Sequence, residues 1–397
     1  MPAVIYIFSL CTFTFGLSEF VVAGLVSAIS MDLHESISQV GSAIAAYALG
    51  AAIGAPIITA LLANWRDKTV LLLTLGVLAA GSVAISLAPD VLTLHGVRFI
   101  IGLAHGVFMA VASNAAVKLV DPVRAGRALS LVWMGLTLSI AFGVPLGTFF
   151  GSYWSWRMVF LAIGGLGLIS TLGLVLLMRQ QPHSSSHRAT DLKQSIAALW
   201  HRELLGAATI AMLVSVATFS FFTFVSPFLL DITRVPPQVL SLAMLVFGIC
   251  SILGNLLGGY LVDAFDADRC LLGGLTALML NLSGLYLWGD SMIATLTLVG
   301  LLGVVFFAIV TMSTLRMLRL AHHYTPQSSA VASGLNIASF NLGTALGGIG
   351  AGWVITHFGL AYIPIAGAAA AGVAIGTLAL QMKSRPPTAD GHTDRCP

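Results

Sequence analysis

The sequence predicts an all-α integral membrane protein with twelve transmembrane helices in two pseudo-symmetric six-helix bundles. Three observations carry that prediction. First, 58 % of the 397 residues are hydrophobic and only 8 % are charged, against roughly 25 % charged in an ordinary soluble domain. So few charges cannot cover a water-facing surface without exposing large apolar patches. Second, apolar runs of the ~20 residues that a spanning helix needs recur along the whole chain, whereas an outer-membrane barrel would show roughly 10-residue alternating strands. Third, several features return at an offset of 200 residues: Gly54 and Gly254, Leu71-Leu72 and Leu271-Leu272, Ser139 and Ser339, Gly143 and Gly343, Leu146-Gly147 and Leu346-Gly347. A duplicated six-helix unit explains that common offset, with a site between the halves.

Polar or turn residues separate the runs. The first span lies near 4–29. It has no preceding Lys or Arg and no clear cleavage site, so it reads as a span and not as a removed signal peptide. Five more follow near 38–62, 69–88, 92–118, 128–152 and 158–178. After a polar stretch they resume near 204–230, 238–262, 269–288, 292–315, 328–356 and 360–381. The 41 glycines and 14 prolines suit such helices, because small residues allow close approach and neighbours satisfy a backbone broken by proline. Cys11, Cys250, Cys270 and Cys396 are scattered without metal or redox spacing.

The basic residues orient the spans. With the N-terminus inside, cytoplasmic segments hold 15 of the 18 Lys and Arg residues. These include Arg66 and Lys68 after the second span, Lys118, Arg124 and Arg127 after the fourth, Arg269 after the eighth, and Arg316 and Arg319 after the tenth. Outer segments hold only Arg157 and Arg234. Both termini are then cytoplasmic, in a bacterial-type inner (plasma) membrane. The expected organisation is an N-terminal bundle over 1–178, a cytoplasmic linker over 179–203, a C-terminal bundle over 204–381 and a cytoplasmic tail over 382–397. Within the linker, Leu192, Ile196, Leu199 and Trp200 stand at helical spacing. An amphipathic helix on the inner surface and a partly ordered linker both fit.

Fourteen of the 15 acidic residues lie in loops, at span ends or in the tail. Glu19 alone sits well inside a span. An ionised side chain there costs at least ~2.5–3.5 kcal/mol on insertion scales, so it must face a cavity or a partner. A carboxyl balanced between its protonated and ionised forms can couple proton binding to a conformational change. The plainer alternative is a carboxylate paired with an arginine to lock two helices. Arg98 is the matching exception, ~9 Å into the fourth span. Arg98, Gly102, His105 and Met109 share one helical face. His105 reads as a second proton site, a substrate donor or simply a hydrogen-bonded histidine.

The candidates for lining a substrate cavity are Tyr47, Met109, Asn114, Phe221, Phe222, Asn336 and Phe340. Helix packing by Asn and lipid-facing Phe is the plainer account of most of them. Few amides and much aromatic surface suit an amphipathic solute better than a bare sugar, whose many hydroxyls need partners once desolvated. There are no paired catalytic carboxylates, no clustered His ligands, no G-x-S-x-G and no phosphate loop. That argues against an enzyme and against an ATP-driven pump. No cofactor or metal is expected, and no basic face offers itself to nucleic acid.

Together these motifs are similar to those of a known family. Ser18-Glu19-Phe20-Val21 with Gly24-Leu25, Ala46 to Gly50 with Gly54-Ala55-Pro56, and Arg98, Gly102, His105 and Gly106 stand in the first, second and fourth spans. The fifth carries Gly143-Val144-Pro145-Leu146-Gly147-Thr148, leading to Trp156-Arg157 and Phe160. The eleventh carries Ser333 to Asn336 and Phe340 to Gly343. Over nearly its whole length the chain resembles the major facilitator superfamily, and within it the drug:proton antiporter group of arabinose-efflux-permease-like proteins. The loop after the second span departs from the pattern. Ala60 and Asn64 stand where Gly and Asp are usual, followed by Arg66 and Lys68, while the later copy keeps Gly259, Asp263 and Arg269.

The resemblance implies a gating role for these loop residues and for Gly143, Pro145 and Gly147, where Gly and Pro kink the fifth helix. It also implies proton-driven efflux by alternating access. Glu19 takes a proton from outside and releases it inside, and Arg98 biases that equilibrium. The expected cargo is a small amphipathic molecule, drug-like compound or metabolite. The alternatives are a sugar such as arabinose or a related polar metabolite, and a membrane sensor without transport. The expected partners are the small-molecule substrate, protons and the lipid bilayer. A monomer is expected, since each half supplies the other's interface.

Overall fold

The computed structural model describes residues 1–62, 64–121, 124–178, 201–324 and 329–384, and among these the chain is helical with short turns and no strand. Twelve spans run in order. In the first half they are α1 (Ala3–Leu33), α2 (Ile37–Leu61), α3 (Asp67–Ser86), α4 (Val91–Lys118), α5 (125–155) and α6 (Trp156–Leu177). In the second they are α7 (202–232), α8 (Pro237–Ala264), α9 (Ala267–Leu287), α10 (Met292–Tyr324), α11 (Ser329–Phe358) and α12 (Ile363–Ser384). The α5–α6 stretch runs helical without a loop over 52 residues, Gly126–Leu177. At 1.5 Å per residue it is ~78 Å long, more than twice a ~30 Å hydrocarbon core. The chain turns at Ser155, which is extended (φ −166°, ψ 133°) and whose hydroxyl accepts the N–H of Arg157. The expected amphipathic helix of the linker lies outside the described residues, as does the tail beyond 384.

Short polar signals start and stop these helices. Ser36 and Gln39 cap the start of α2 reciprocally. Asp90 accepts the Thr93 N–H at 2.7 Å at the start of α4, and that bond holds its carboxyl below the usual carboxylate range. Asp266 accepts the Arg269 N–H at 2.9 Å at the start of α9. Many hydroxyls inside the spans turn back on their own helix, as Thr12 does to the Phe8 carbonyl at 2.8 Å and Thr276 to that of Leu272. They therefore cost little in an apolar surrounding.

The two halves repeat in three dimensions. Among the described residues, the only non-glycine residues with positive φ are His34 (56°) and Arg234 (58°), each in the turn after the first helix of its half. A Cβ on Gly54 would collide with the main chain of Leu103, and one on Gly254 with that of Val304. Gly102 lies in the same way against Tyr47, and Gly303 against Phe247. Gly143 faces Phe13 and Leu17, while Gly343 faces Met212 and Ser215. The register is therefore 200 residues for α2 and α8 (Tyr47 to Phe247), 201 for α4 and α10 (Gly102 to Gly303) and 199 for α1 and α7 (Phe13 to Met212).

The seam between the halves is built from small residues. Near the turns that follow α1 and α7, Ser226 donates to Ser27 at 3.2 Å. A Cβ on Gly41 would strike the Phe224 ring, and one on Gly352 would come within 2.7 Å of the Ser38 hydroxyl. Ala45, Ala48 and Ala345 pack together between α2 and α11. Deeper in, Gly248 of α8 lies on the main chain of Ile140 and Ala141 of α5. At the α2–α11 and α5–α8 contacts the N-terminal partner is irregular and the C-terminal partner is not. α2 turns π-helical over Gly54–Ile58, around Pro56, and α5 over Ser139–Gly143, just before Pro145, whereas α8 and α11 are uninterrupted. Proline supplies no N–H to the preceding turn, which explains the local widening.

Candidate functional site

Glu19, Tyr47, Arg98 and His105 converge from α1, α2 and α4. Close approach of α2 and α4 makes this possible, since Gly50, Gly102 and Gly106 bring the two backbones together where any side chain would clash. Arg98 is fully buried. Its Nε donates to the Ala43 carbonyl at 2.9 Å, and its terminal nitrogens donate to the carbonyls of Ser18 at 2.7 Å and Glu19 at 3.2 Å. The guanidinium also lies 4.6 Å from the centre of the Tyr47 ring. The expected meeting of Arg98 with Glu19 is thus made through the main chain of Glu19, and among the described residues no ion pair joins the two side chains.

The Glu19 carboxylate turns to His105, with 3.5 Å from Oε2 to Nδ1, and keeps 13 % of its side-chain surface accessible. The same Nδ1 lies 3.1 Å from the Tyr47 hydroxyl, which in turn donates to the Phe15 carbonyl at 3.3 Å. If the tyrosine proton goes to Phe15, the histidine carries its proton on Nδ1 and offers it to Tyr47 and Glu19 together. His105 stacks on Phe15 at 4.9 Å between ring centres, and its Nε2 is buried without a hydrogen-bond partner. The arrangement can hold a proton between a carboxylate and an imidazole beside a fixed positive charge.

The cavity candidates separate. Tyr47 belongs to this cluster and is fully buried, and Met109 is buried one turn beyond His105. Phe222 packs on Phe247, 4.4 Å between centres, whereas Phe221 packs on Phe228 at 5.1 Å, away from that group. Asn336 is buried and donates to Thr314 at 3.0 Å, while its carbonyl oxygen has no partner. Phe340 is half-buried on the same helix. Asn114 is exposed near the end of α4, one turn from the Lys118–Asp67 ion pair (3.5 Å).

The motif residues in the loops make contacts within their own half. Lys68 donates to the carbonyls of Val175 (2.9 Å) and Met178 at the end of α6. Asn64, Arg66, Asp263 and Arg269 are exposed, and no residue comes within 4 Å of a Cβ built on Gly259. Gly143 and Gly147 pack against Phe13, Leu17 and Val21 of α1, with Pro145 buried between them. Arg157, after α5, bonds Asp32 at 2.9 Å and the carbonyls of Ser86 and Ala88, tying together the ends of α1, α3 and α6.

Of the aromatic group facing the polar cluster, sequence reasoning named Phe222 as a cavity residue and missed the rest. Phe20, next to Glu19, stacks on Phe219 across the seam (6.3 Å, 28° between planes). Phe219 meets Phe222 and Phe306 edge-on, each at 5.8 Å, and Phe247 and Phe307 extend the group. A helix-by-helix register, in place of one offset for the whole chain, would have pointed to these positions.

The family model described as Major Facilitator Superfamily matches residues 8–318, and again 207–395. The Inner membrane transport protein YdhP of Escherichia coli (strain K12) is 32 % identical over 378 residues, covering 95 % of each chain. A Chloramphenicol resistance protein of Streptomyces lividans is 29 % identical over 90 % of each chain. A Probable sugar efflux transporter of Helicobacter pylori (strain P12) is 28 % identical over 95 % of this chain and 93 % of that one. Among solved structures, the nucleoside transporter NupG superposes with a TM-score of 0.79 at 16 % identity, over 97 % of this chain and 100 % of that one, a likeness of fold.

Proposed function

The chain belongs to the major facilitator superfamily and is a multi-pass membrane transporter, and we propose that it exports small amphipathic molecules in exchange for protons. The bundles 1–178 and 204–381 would alternate access to a site between them. The observation that carries this reading is the Glu19 carboxylate, well inside α1, facing the imidazole of His105 at 3.5 Å. Proton arrival from outside neutralises Glu19, and departure inside restores its charge. Arg98, pinned by three carbonyls, supplies a fixed positive charge that favours the carboxylate. Tyr47 sets the orientation of His105.

The distribution of basic residues supports cytoplasmic termini. The seam contacts around Ser27, Gly41 and Ser226 then close the outer side. A monomer fits, since each half covers the other's seam. The names of two relatives set the cargo panel. A chloramphenicol resistance protein speaks for drug-like amphiphiles, and a sugar efflux transporter for the alternative of sugars.

The test is reconstitution of the purified chain in liposomes with an imposed pH gradient. Flux of chloramphenicol, arabinose and a nucleoside is measured against proton flux. Amphiphile export that consumes the gradient is the expected result. Flux indifferent to the gradient overturns coupling, and gradient-driven flux of arabinose alone replaces the amphiphile with the sugar.

A further inference from the structure

The helix-by-helix register assigns each member of the polar cluster a counterpart in the other half. With 199 for α1 and α7, 200 for α2 and α8, and 201 for α4 and α10, Glu19 corresponds to Thr218 and Phe20 to Phe219. Tyr47 corresponds to Phe247, Arg98 to Val299 and His105 to Phe306. The stacked pair Phe20 and Phe219 is therefore a pair of counterparts touching each other, as residues do where a two-fold axis passes. On one side of that point lie a carboxylate, a phenol, a guanidinium and an imidazole. On the other lie two phenylalanine rings, a valine and one hydroxyl. That hydroxyl, on Thr218, is buried and has no hydrogen-bond partner, as is His105 Nε2 opposite.

We propose that the central site takes a neutral, ring-bearing amphipathic molecule, its ring against Phe219, Phe247 and Phe306 and an uncharged hydrogen-bond donor directed to Glu19. This deepens the exporter reading above and rests on it. Two physical arguments select the class. The buried Arg98 and an ionised Glu19 already sum to zero charge. A cationic cargo would add an unbalanced charge in an apolar surrounding, whereas a neutral donor adds none. Among the counterparts of the polar cluster, a sugar would find only the Thr218 hydroxyl on the C-terminal side, and each unpaired hydroxyl costs its desolvation. A flat ring instead meets faces and edges suited to it.

Equilibrium binding to the full chain in nanodiscs, at one pH and without a gradient, tests this. The probes are chloramphenicol as a neutral aryl amide, tetraphenylphosphonium as a lipophilic cation, and arabinose. Chloramphenicol is expected to bind most tightly. Phe306→Leu and Phe219→Leu are each expected to weaken it about tenfold by removing a ring face while keeping apolar volume. Phe221→Leu, whose ring packs on Phe228, should not change it, and unaltered melting temperatures show that the ring variants fold. Tightest binding of the cation or of arabinose overturns the proposal, and so does unweakened chloramphenicol binding in both folded ring variants. Loss of proton coupling in liposomes would sink the exporter mechanism but leave these binding results readable.

Discussion

Arg98 bonds the main chain of Glu19 and not its carboxylate: the guanidinium donates to the Glu19 carbonyl at 3.2 Å, and the side chain turns to His105. The link between α1 and α4 therefore does not depend on whether Glu19 is charged. A proton can come and go while the helices stay joined.

Glu19→Gln is expected to fold and to melt like the natural chain, because the carbonyl that Arg98 uses is unchanged. Exchange of cargo down its own gradient should persist, while accumulation driven by a pH gradient falls to background. Parallel counterflow and pH-jump assays check this, and undiminished pH-driven transport contradicts it.

Arg98→Lys should fail as a conservative change. Three carbonyls in different directions and a tyrosine ring fit a planar fork and not a single ammonium group. Leaving a charge imperfectly paired in this fully buried place costs about 3–5 kcal/mol. A clear drop in melting temperature in detergent, with transport lost, is the expected outcome.

The ion pairs between the third and fourth helices of each half should differ in worth. Lys118 and Asp67 keep more than a third of their side-chain surface exposed, whereas Arg316 and Asp268 keep 4 % and 15 %. Arg316 also donates to Gln381 at 2.9 Å. Asp67→Asn should cost roughly 0–1 kcal/mol and Asp268→Asn about 3–5 kcal/mol. Thermal unfolding of the two variants side by side decides it.

Gly248→Leu should block the transport cycle without unfolding either half. Its side chain would meet the main chain of Ile140 and Ala141, which cannot move aside as a flexible side chain can. Gly41→Leu should displace Phe224 and hold the seam open on that face. Faster alkylation of a cysteine placed at Ser38 is the expected readout, and an unchanged rate would show that the seam tolerates the bulk.

The span count and the choice of Glu19 and Arg98 were legible in the sequence because charge is scarce and each ionised residue in lipid needs a reason. The partners of Glu19 were not. The 3.6-residue period placed Arg98 and His105 on one face, but which atom of Glu19 each would meet depends on side-chain torsions set by packing. Tyr47 read as a cavity residue because nothing in the sequence shows that Gly102 seats α4 directly on its main chain. The aromatic wall beyond Phe222 was hidden for another reason. A single offset of 200 residues places His105 opposite Val305, and only contacts between helices reveal that α4 and α10 need 201, which brings Phe306 into that place.

The proline-widened turns of α2 and α5 lie against the uninterrupted helices α11 and α8. In mechanical terms the seam joins a compliant surface to a stiff one. Relative rotation of the halves would then be absorbed by bending around Pro56 and Pro145, while α8 and α11 carry the second half as a lever. Straightening either turn, as in Pro56→Ala or Pro145→Ala, would stiffen the spring and slow the stroke without altering what the site can hold.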